Sequence, residues 1–221
     1  MTVTNACLDQ VLQLVGDACR ALQPPLVTDL VAKRGRDPFR VLVATILSAR
    51  TRDEMTERAS TRLFARYPTA VHLAAATPEA VEPLIREVGF HRTKARHVVA
   101  TAAALVERHG GEVPADLDAL VRLPGVGRKT ANLVLTLGFG AQGICVDTHV
   151  HRITNRWGYV DTRTPEQTEH ALRAILPARY WIPINDWLVT WGQNVCRPLS
   201  PRCSTCPVAP WCERRGVDRS R

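Results

Sequence analysis

Apolar residues recur at helical spacing almost from end to end of this sequence, and no stretch alternates long enough to build a sheet. In "DPFRVLVATILSAR", Phe39, Leu42, Val43, Ile46 and Leu47 fall at i, i+3, i+4, i+7 and i+8, one face of a helix. Asp37 is placed to cap that helix and Pro38 to fill its first position, where a missing N–H is harmless. Thr77-Pro78 opens another helix, with Val81, Leu84, Ile85 and Val88 on one face and Gly89 closing it. Pro83 sits awkwardly inside that segment. Val98, Ala102, Leu105 and Val106 mark a further helix that stops at Gly110-Gly111. Thr164 and Gln167 form a capping box ahead of Leu172, Ile175 and Leu176. The nearest strand candidate, "GICVDTH", is too short and unpaired to found a sheet. The expected class is all-α, short helices joined by short loops.

The chain has 221 residues, enough for one large domain or two small ones. Its 45% hydrophobic and 23% charged content is that of a folded protein and excludes a disordered one. Lys+Arg number 29 against Asp+Glu 21, a formal charge of +8, and such an excess favours a polyanionic partner, above all nucleic acid. No segment approaches the length of apolar sequence that spans a membrane, so no membrane partner is expected. The first residues carry acids among their apolar positions and lack a basic n-region, which makes a poor secretion signal. A cytoplasmic, reducing location follows, in which the seven cysteines are not a disulfide framework.

Four of those cysteines, Cys196, Cys203, Cys206 and Cys212, are spaced C-x6-C-x2-C-x5-C in "CRPLSPRCSTCPVAPWC". Thiolates so close together can enclose one soft metal centre. Zinc is the rival occupant, but structural zinc sites usually combine two C-x2-C-like pairs, whereas the single pair with longer arms here suits an iron–sulfur cluster better. Pro198, Pro201, Pro207 and Pro210 stiffen the wrapping and oppose helix. Cys7, Cys19 and Cys145 read as ordinary buried residues.

The stretch "LPGVGRKTANLVL" joins two short helices, one with Leu117, Leu120 and Val121 on a face, the next with Ala131, Val134, Leu135 and Gly138. Gly125 and Gly127 permit a sharp hairpin, and amides starting the second helix face outward with a positive end-dipole, a phosphate site made of backbone. A tight helix–helix turn with no ligand would look the same. Lys129 adds a chemical argument. Lys33, Lys94 and Lys129 are the chain's only lysines, and arginine serves elsewhere as its cation. Arginine cannot lose its proton and attack carbon. An amine at a helix start beside Arg128 can act as a Schiff-base nucleophile, with Lys94 or the N-terminal amine as the alternative should Lys129 prove inert. Asp147, in "VDTHVHR" eighteen residues on, could deprotonate that amine or stabilise positive charge on a sugar ring. It could equally cap a helix carrying Val150 and Ile153, and the two roles can coexist.

Together, "LPGVGRKTA", "VDTHVHR" and the four-cysteine loop resemble the endonuclease III family of base-excision DNA glycosylases. The similarity extends through "LSARTRDE", "HGGEVP" and "TPEQ", from about residue 26 to 212. It implies two all-helical domains with a DNA groove between them: a six-helix barrel carrying the helix-hairpin-helix at 32–141, and a discontinuous domain, 1–31 with 142–221, holding a 4Fe-4S cluster on the four cysteines. It places the catalytic lysine on Lys129 and the catalytic aspartate on Asp147, with Gly125, Gly127 and Arg128 on DNA and Arg197 and Arg202 offered to phosphate. The implied activity is bifunctional: removal of an oxidised, ring-saturated or fragmented pyrimidine, then abasic-site cleavage by β-elimination. The implied partner is double-stranded DNA bearing a damaged base or abasic site, bound by a monomer, with nucleoid association following from that binding. This sequence departs from the family twice, with Arg50 where glutamine is usual and Phe90 where an aliphatic residue is usual, both in positions that would fill the gap left by a flipped base. The nearest alternatives are an adenine-type mismatch glycosylase, which differs at the lysine position and carries a further C-terminal domain, and a non-catalytic DNA-binding module.

Overall fold

The computed structural model describes residues 2–221, and among them the regular structure is helical, with no strand. In chain order the helices are α1 (Asn5–Cys19), α2 (Leu26–Arg34), α3 (Pro38–Ser48), α4 (Asp53–Arg66), α5 (Ala70–Ala74), α6 (Pro78–Val81), α7 (His91–His109), α8 (Leu117–Val121), α9 (Arg128–Leu133), α10 (Thr148–Arg156), α11 (Pro165–Ile175) and α12 (Pro183–Asn194). The all-α class expected from the periodicity is what the chain adopts. It divides into two compact units, one continuous over Leu26–Gly143, the other made of Met1–Pro25 and Ile144–Arg221. The continuous unit begins at Leu26 because α2 packs against α3 and α4.

The continuous unit is built around α3. Asp37 accepts a hydrogen bond from the Arg40 amide at 3.0 Å and Pro38 opens the helix, as the sequence predicts. The apolar face is wider than the periodicity indicates, since every residue from Val41 to Leu47 is buried while Phe39 is only half-buried. A helix packed by neighbours on all sides has no solvent face to reveal, and α2, α4, α7 and α9 surround this one. Pro83 breaks the helix expected from Thr77. The α-helical part stops at Val81, and Glu82–Ile85 continue as a 3-10 turn, because proline offers no N–H to the ladder. Gly89 does not supply the left-handed residue that follows; Phe90 does, at φ 59°. Helix α7 ends at Gly110 in the left-handed conformation.

In the discontinuous unit, Leu8, Val11, Leu12 and Val15 of α1 share one core with Val150, Ile153 and Trp157 around α10, Leu172 of α11, and Ile184, Leu188 and Trp191 of α12. The capping box at α11 closes one residue early: Thr164 accepts from the Gln167 amide at 3.2 Å, but Gln167 accepts from the Arg163 amide at 2.9 Å. Of the three remaining cysteines only Cys145 is buried. Cys7 acts at the N-cap of α1, accepting from the Thr4 amide at 3.3 Å. Cys19 donates to the Trp187 carbonyl, and burial pushes its thiol up to about 11.

Candidate active site and cysteine cavity

The hairpin between α8 and α9 is anchored by its apolar residues. Leu123 and Val126 are buried, and the Thr101 hydroxyl on α7 donates to the Pro124 carbonyl at 2.6 Å. The two glycines do different work. Gly125 sits at φ 74°, and a Cβ there would stand 2.6 Å from Nδ1 and 2.9 Å from Cβ of His97, so both conformation and contact exclude a side chain. Gly127 is extended, φ −94° and ψ 173°, and a Cβ would meet nothing within 4 Å. The protein's own packing leaves that position open, with room for a ligand to approach the backbone.

Lys129 is exposed at the second position of α9, with Arg128 half-buried before it. Behind it everything from Ala131 to Gly138 is buried, α9 passing into a π-helical turn over Val134–Phe139. A Cβ on Gly138 would lie 3.0 Å from the Pro38 Cα, and the Arg36 guanidinium donates to the Thr136 and Leu137 carbonyls at 3.0 and 3.3 Å. The lysine therefore projects from a head whose body is fixed. Lys94, the alternative nucleophile, is 5% exposed, and its ammonium is bonded to the Leu47 and Ala49 carbonyls and the Thr51 hydroxyl. That geometry removes it as an attacking amine.

In the other unit, Ile144, Cys145 and Val146 form a buried, non-helical lead-in, and the Asn185 side-chain amide donates to the Cys145 carbonyl at 3.1 Å. Asp147 follows, half-buried, and caps α10: its Oδ1 accepts from the His149 amide at 2.8 Å and the Val150 amide at 2.9 Å. The capping role allowed by the sequence is thus real, and both bonds fall on one oxygen.

Cys196, Cys203, Cys206 and Cys212 line a single cavity, walled by Trp157, Trp191 and Val195. Among the described residues no three His, Cys, Asp or Glu side chains close on one point tightly enough to hold a single metal ion. Burial pushes Cys206 up to about 11 and raises Cys212 as well. The connecting loop contains only short 3-10 turns, Cys203–Thr205 and Ala209–Trp211, in keeping with its prolines.

The braces of this loop were not evident in the sequence. Arg156, 6% exposed, donates to the Arg197 and Pro198 carbonyls at 2.7 and 2.8 Å, and approaches the Cys196 sulfur at 3.5 Å. Arg152, one turn earlier, donates to the Cys196 carbonyl at 2.9 Å. Helix α10 therefore carries Asp147 at one end and braces the cysteine loop at the other. The last residues fold back on the loop: Arg221 donates to the Pro201 carbonyl and Ser204 to the Arg221 carbonyl, both at 2.8 Å, while Arg214 and Val217 line the cavity. In "HVHRITNRWG" the i, i+4 pair Arg152 and Arg156 was the available signal, but such a pair reads equally as a solvated face.

Arg50 and Phe90, far apart in sequence, meet in the continuous unit. Both are exposed and both adopt left-handed backbone, φ 53° and 59°, with the Arg50 guanidinium carbon 5.9 Å from the Phe90 ring centroid.

A hairpin of this build, with a lysine at its exit and an aspartate-capped helix after it, defines a helix-hairpin-helix protein. The family described as HhH-GPD superfamily base excision DNA repair protein matches residues 43–178. Endonuclease III of Thermotoga maritima is 53% identical over 188 residues, 84% of this chain and 88% of that protein. Endonuclease III of Escherichia coli is 38% identical over 80% of this chain and 83% of its own length. Among solved structures, a trapped endonuclease III–DNA covalent intermediate, an estranged-adenine complex, superposes with a TM-score of 0.85 at 33% identity, covering 96% of this chain and 97% of that one. The chain belongs to the endonuclease III family. It is accordingly a bifunctional DNA glycosylase and abasic-site lyase that acts on damaged bases in base excision repair.

Proposed function

We propose that this glycosylase removes oxidised, ring-saturated or fragmented pyrimidines from double-stranded DNA, with Lys129 as nucleophile and Asp147 as its acid–base and electrostatic partner. The observation that carries the reading is the exposed Lys129 at the head of a helix buried behind it. The glycosidic bond is shielded inside a duplex, so the nucleotide must first be turned out of the stack. The Lys129 amine attacks the anomeric carbon as the glycosidic bond breaks, and the base leaves with the bonding electrons and takes up a proton. The second oxygen of Asp147, Oδ2, accepts the proton of the attacking amine or faces the positive charge on the sugar. Opening of the ring gives an iminium, which acidifies the adjacent sugar carbon. Loss of that proton expels the phosphate on the 3′ side, and water then releases Lys129. A covalent complex with DNA is reported for the endonuclease III at 33% identity, which supports this path.

Gly125, Gly127 and Arg128 hold the phosphate backbone in this reading, the open face at Gly127 admitting it most closely. Arg50 and Phe90 fill the space left by the turned-out base. The unit rooted near residues 32–141 presents Lys129, and the discontinuous one, 1–31 with 142–221, presents Asp147 and the cysteines. The protein works as a monomer in the cytoplasm, associated with the nucleoid through DNA; no helix among the described residues is long and apolar enough to cross a membrane. With a duplex carrying one thymine glycol, the expected products are free base and a strand ending in the unsaturated sugar of β-elimination. Cleavage of abasic DNA without release of any oxidised pyrimidine would overturn the substrate assignment.

The four cysteines fit a 4Fe-4S cluster, since all four line one cavity and their loop is braced by Arg152 and Arg156. When bound, it supplies iron–sulfur bonds that tie the loop together, leaving base removal to Lys129 and Asp147. Protein purified without air is expected to be yellow-brown, with about four iron and four sulfide per chain. Stoichiometric zinc with no visible absorbance would refute the assignment.

A further inference from the structure

Helix α7 begins with a buried cation that the chemistry above does not use. The Lys94 ammonium lies 2.7 Å from the Leu47 carbonyl, 2.6 Å from the Ala49 carbonyl and 2.9 Å from the Thr51 hydroxyl. An ammonium has three donors, and all three converge on one short loop. Leu47 is at the end of α3, where carbonyls lack partners within the helix. Ala49 and Thr51 lie on either side of Arg50. The Thr51 hydroxyl also accepts from the Gly89 amide at 3.0 Å, and the Phe90 carbonyl accepts from the Lys94 amide at 3.0 Å. These bonds close a ring that runs from Lys94 through Thr51, Gly89 and Phe90 back to Lys94. Where the ring draws the two segments together, a Cβ on Gly89 would lie 2.9 Å from the Arg50 carbonyl oxygen.

We propose that Lys94 is a positioning residue for lesion recognition, latching the loop after α3 to the head of α7 so that Arg50 and Phe90 stand as one two-residue wedge. The inference rests on the reading of Arg50 and Phe90 as the residues that fill the duplex. Left-handed backbone is costly for any residue but glycine and persists only where its surroundings enforce it. Here two such residues face each other: the ring of bonds passes through Phe90, and the Lys94 bonds to Ala49 and Thr51 span Arg50. The identity of the cation supports the same conclusion. A planar guanidinium cannot aim three donors at three points around one atom, and this chain, which favours arginine elsewhere, has lysine here. Burial pulls the Lys94 pKa down to about 8, a penalty on the charge that its loop bonds offset. Fixing the wedge before DNA arrives spares the ordering cost at binding.

The test is a double-mutant cycle on full-length protein, measuring affinity for a duplex with a stable abasic analogue. A fluorescent adenine analogue opposite the abasic site reports unstacking, and thermal melting reports folding. Lys94→Met is expected to weaken binding roughly tenfold and to suppress the fluorescence rise. In a chain already carrying Arg50→Ala and Phe90→Ala the same change should have less than about a twofold effect, because coupled residues are not additive. A full tenfold loss in that background would show that Lys94 acts elsewhere, and the proposal falls while the wedge reading stands. If the Arg50→Ala, Phe90→Ala chain binds and unstacks as the parent does, the wedge reading itself falls and takes this inference with it. Should Lys94→Met fail to fold, Thr51→Val removes the hydroxyl shared by Lys94 and Gly89. It must then show the same loss and the same non-additivity, and an unchanged Thr51→Val chain overturns the latch.

Discussion

Lys129→Ala is expected to abolish borohydride trapping of the protein on abasic DNA, the largest effect of any single substitution. Reduction captures only an imine between an amine and the opened sugar, so the adduct needs an accessible primary amine, from a lysine or the N-terminus. Three lysines exist. Lys94 is buried with its donors committed to the loop after α3, and Lys33 is paired with Asp29 at 2.6 Å on α2. Lys129 is exposed at the exit of the hairpin. Lys129→Arg should fail in the same way while retaining affinity for DNA, since it keeps the charge and loses only the capacity to form an imine. An exposed site at a helix start also makes either variant safe for folding. Trapping at the parental level in Lys129→Ala would assign the nucleophile to another amine.

Asp147→Asn is expected to slow base removal by roughly two or more orders of magnitude, the usual consequence of losing a positioned acid–base group. Its stability should be nearly unchanged. Asparagine caps a helix as well as aspartate does, so the bonds from the His149 and Val150 amides survive. Asp147→Ala should lose the rate and also about 1 kcal/mol of stability with the cap. Single-turnover base release beside thermal melting separates the two roles. An Asp147→Asn protein as fast as its parent would leave the residue as a cap alone.

Agreement between sequence and structure is closest where the deciding partners are near neighbours in the chain. Asp37 and Pro38 start α3, Thr164 caps α11 and Asp147 caps α10, because a cap bonds an amide only two or three residues ahead. The hairpin, the helical class and the clustering of four cysteines in one loop follow from similarly short spacings. Pro83 was visible as a disturbance, though whether the chain would kink or change helix type was not.

What the sequence left open depended on residues far away. Whether α3 shows solvent an edge or none is decided by the helices around it, and Phe39 and the run from Val41 to Leu47 differ from the periodic expectation for that reason. The core shared by α1 with α10, α11 and α12 joins segments more than a hundred residues apart, and no local pattern records that partnership. Arg152 and Arg156 look like surface charges until backbone carbonyls of the cysteine loop are brought against them. Gly125 and Gly127 read alike in the sequence, and only the left-handed backbone of the first and the His97 ring behind it separate a glycine that the fold requires from one it leaves open. Arg50, Phe90 and Lys94 are the fullest case. Their left-handed turns and shared bonds arise from two loops held together, and such conformations are set by tertiary contacts against local preference, so the chain's order alone could name the residues but not join them.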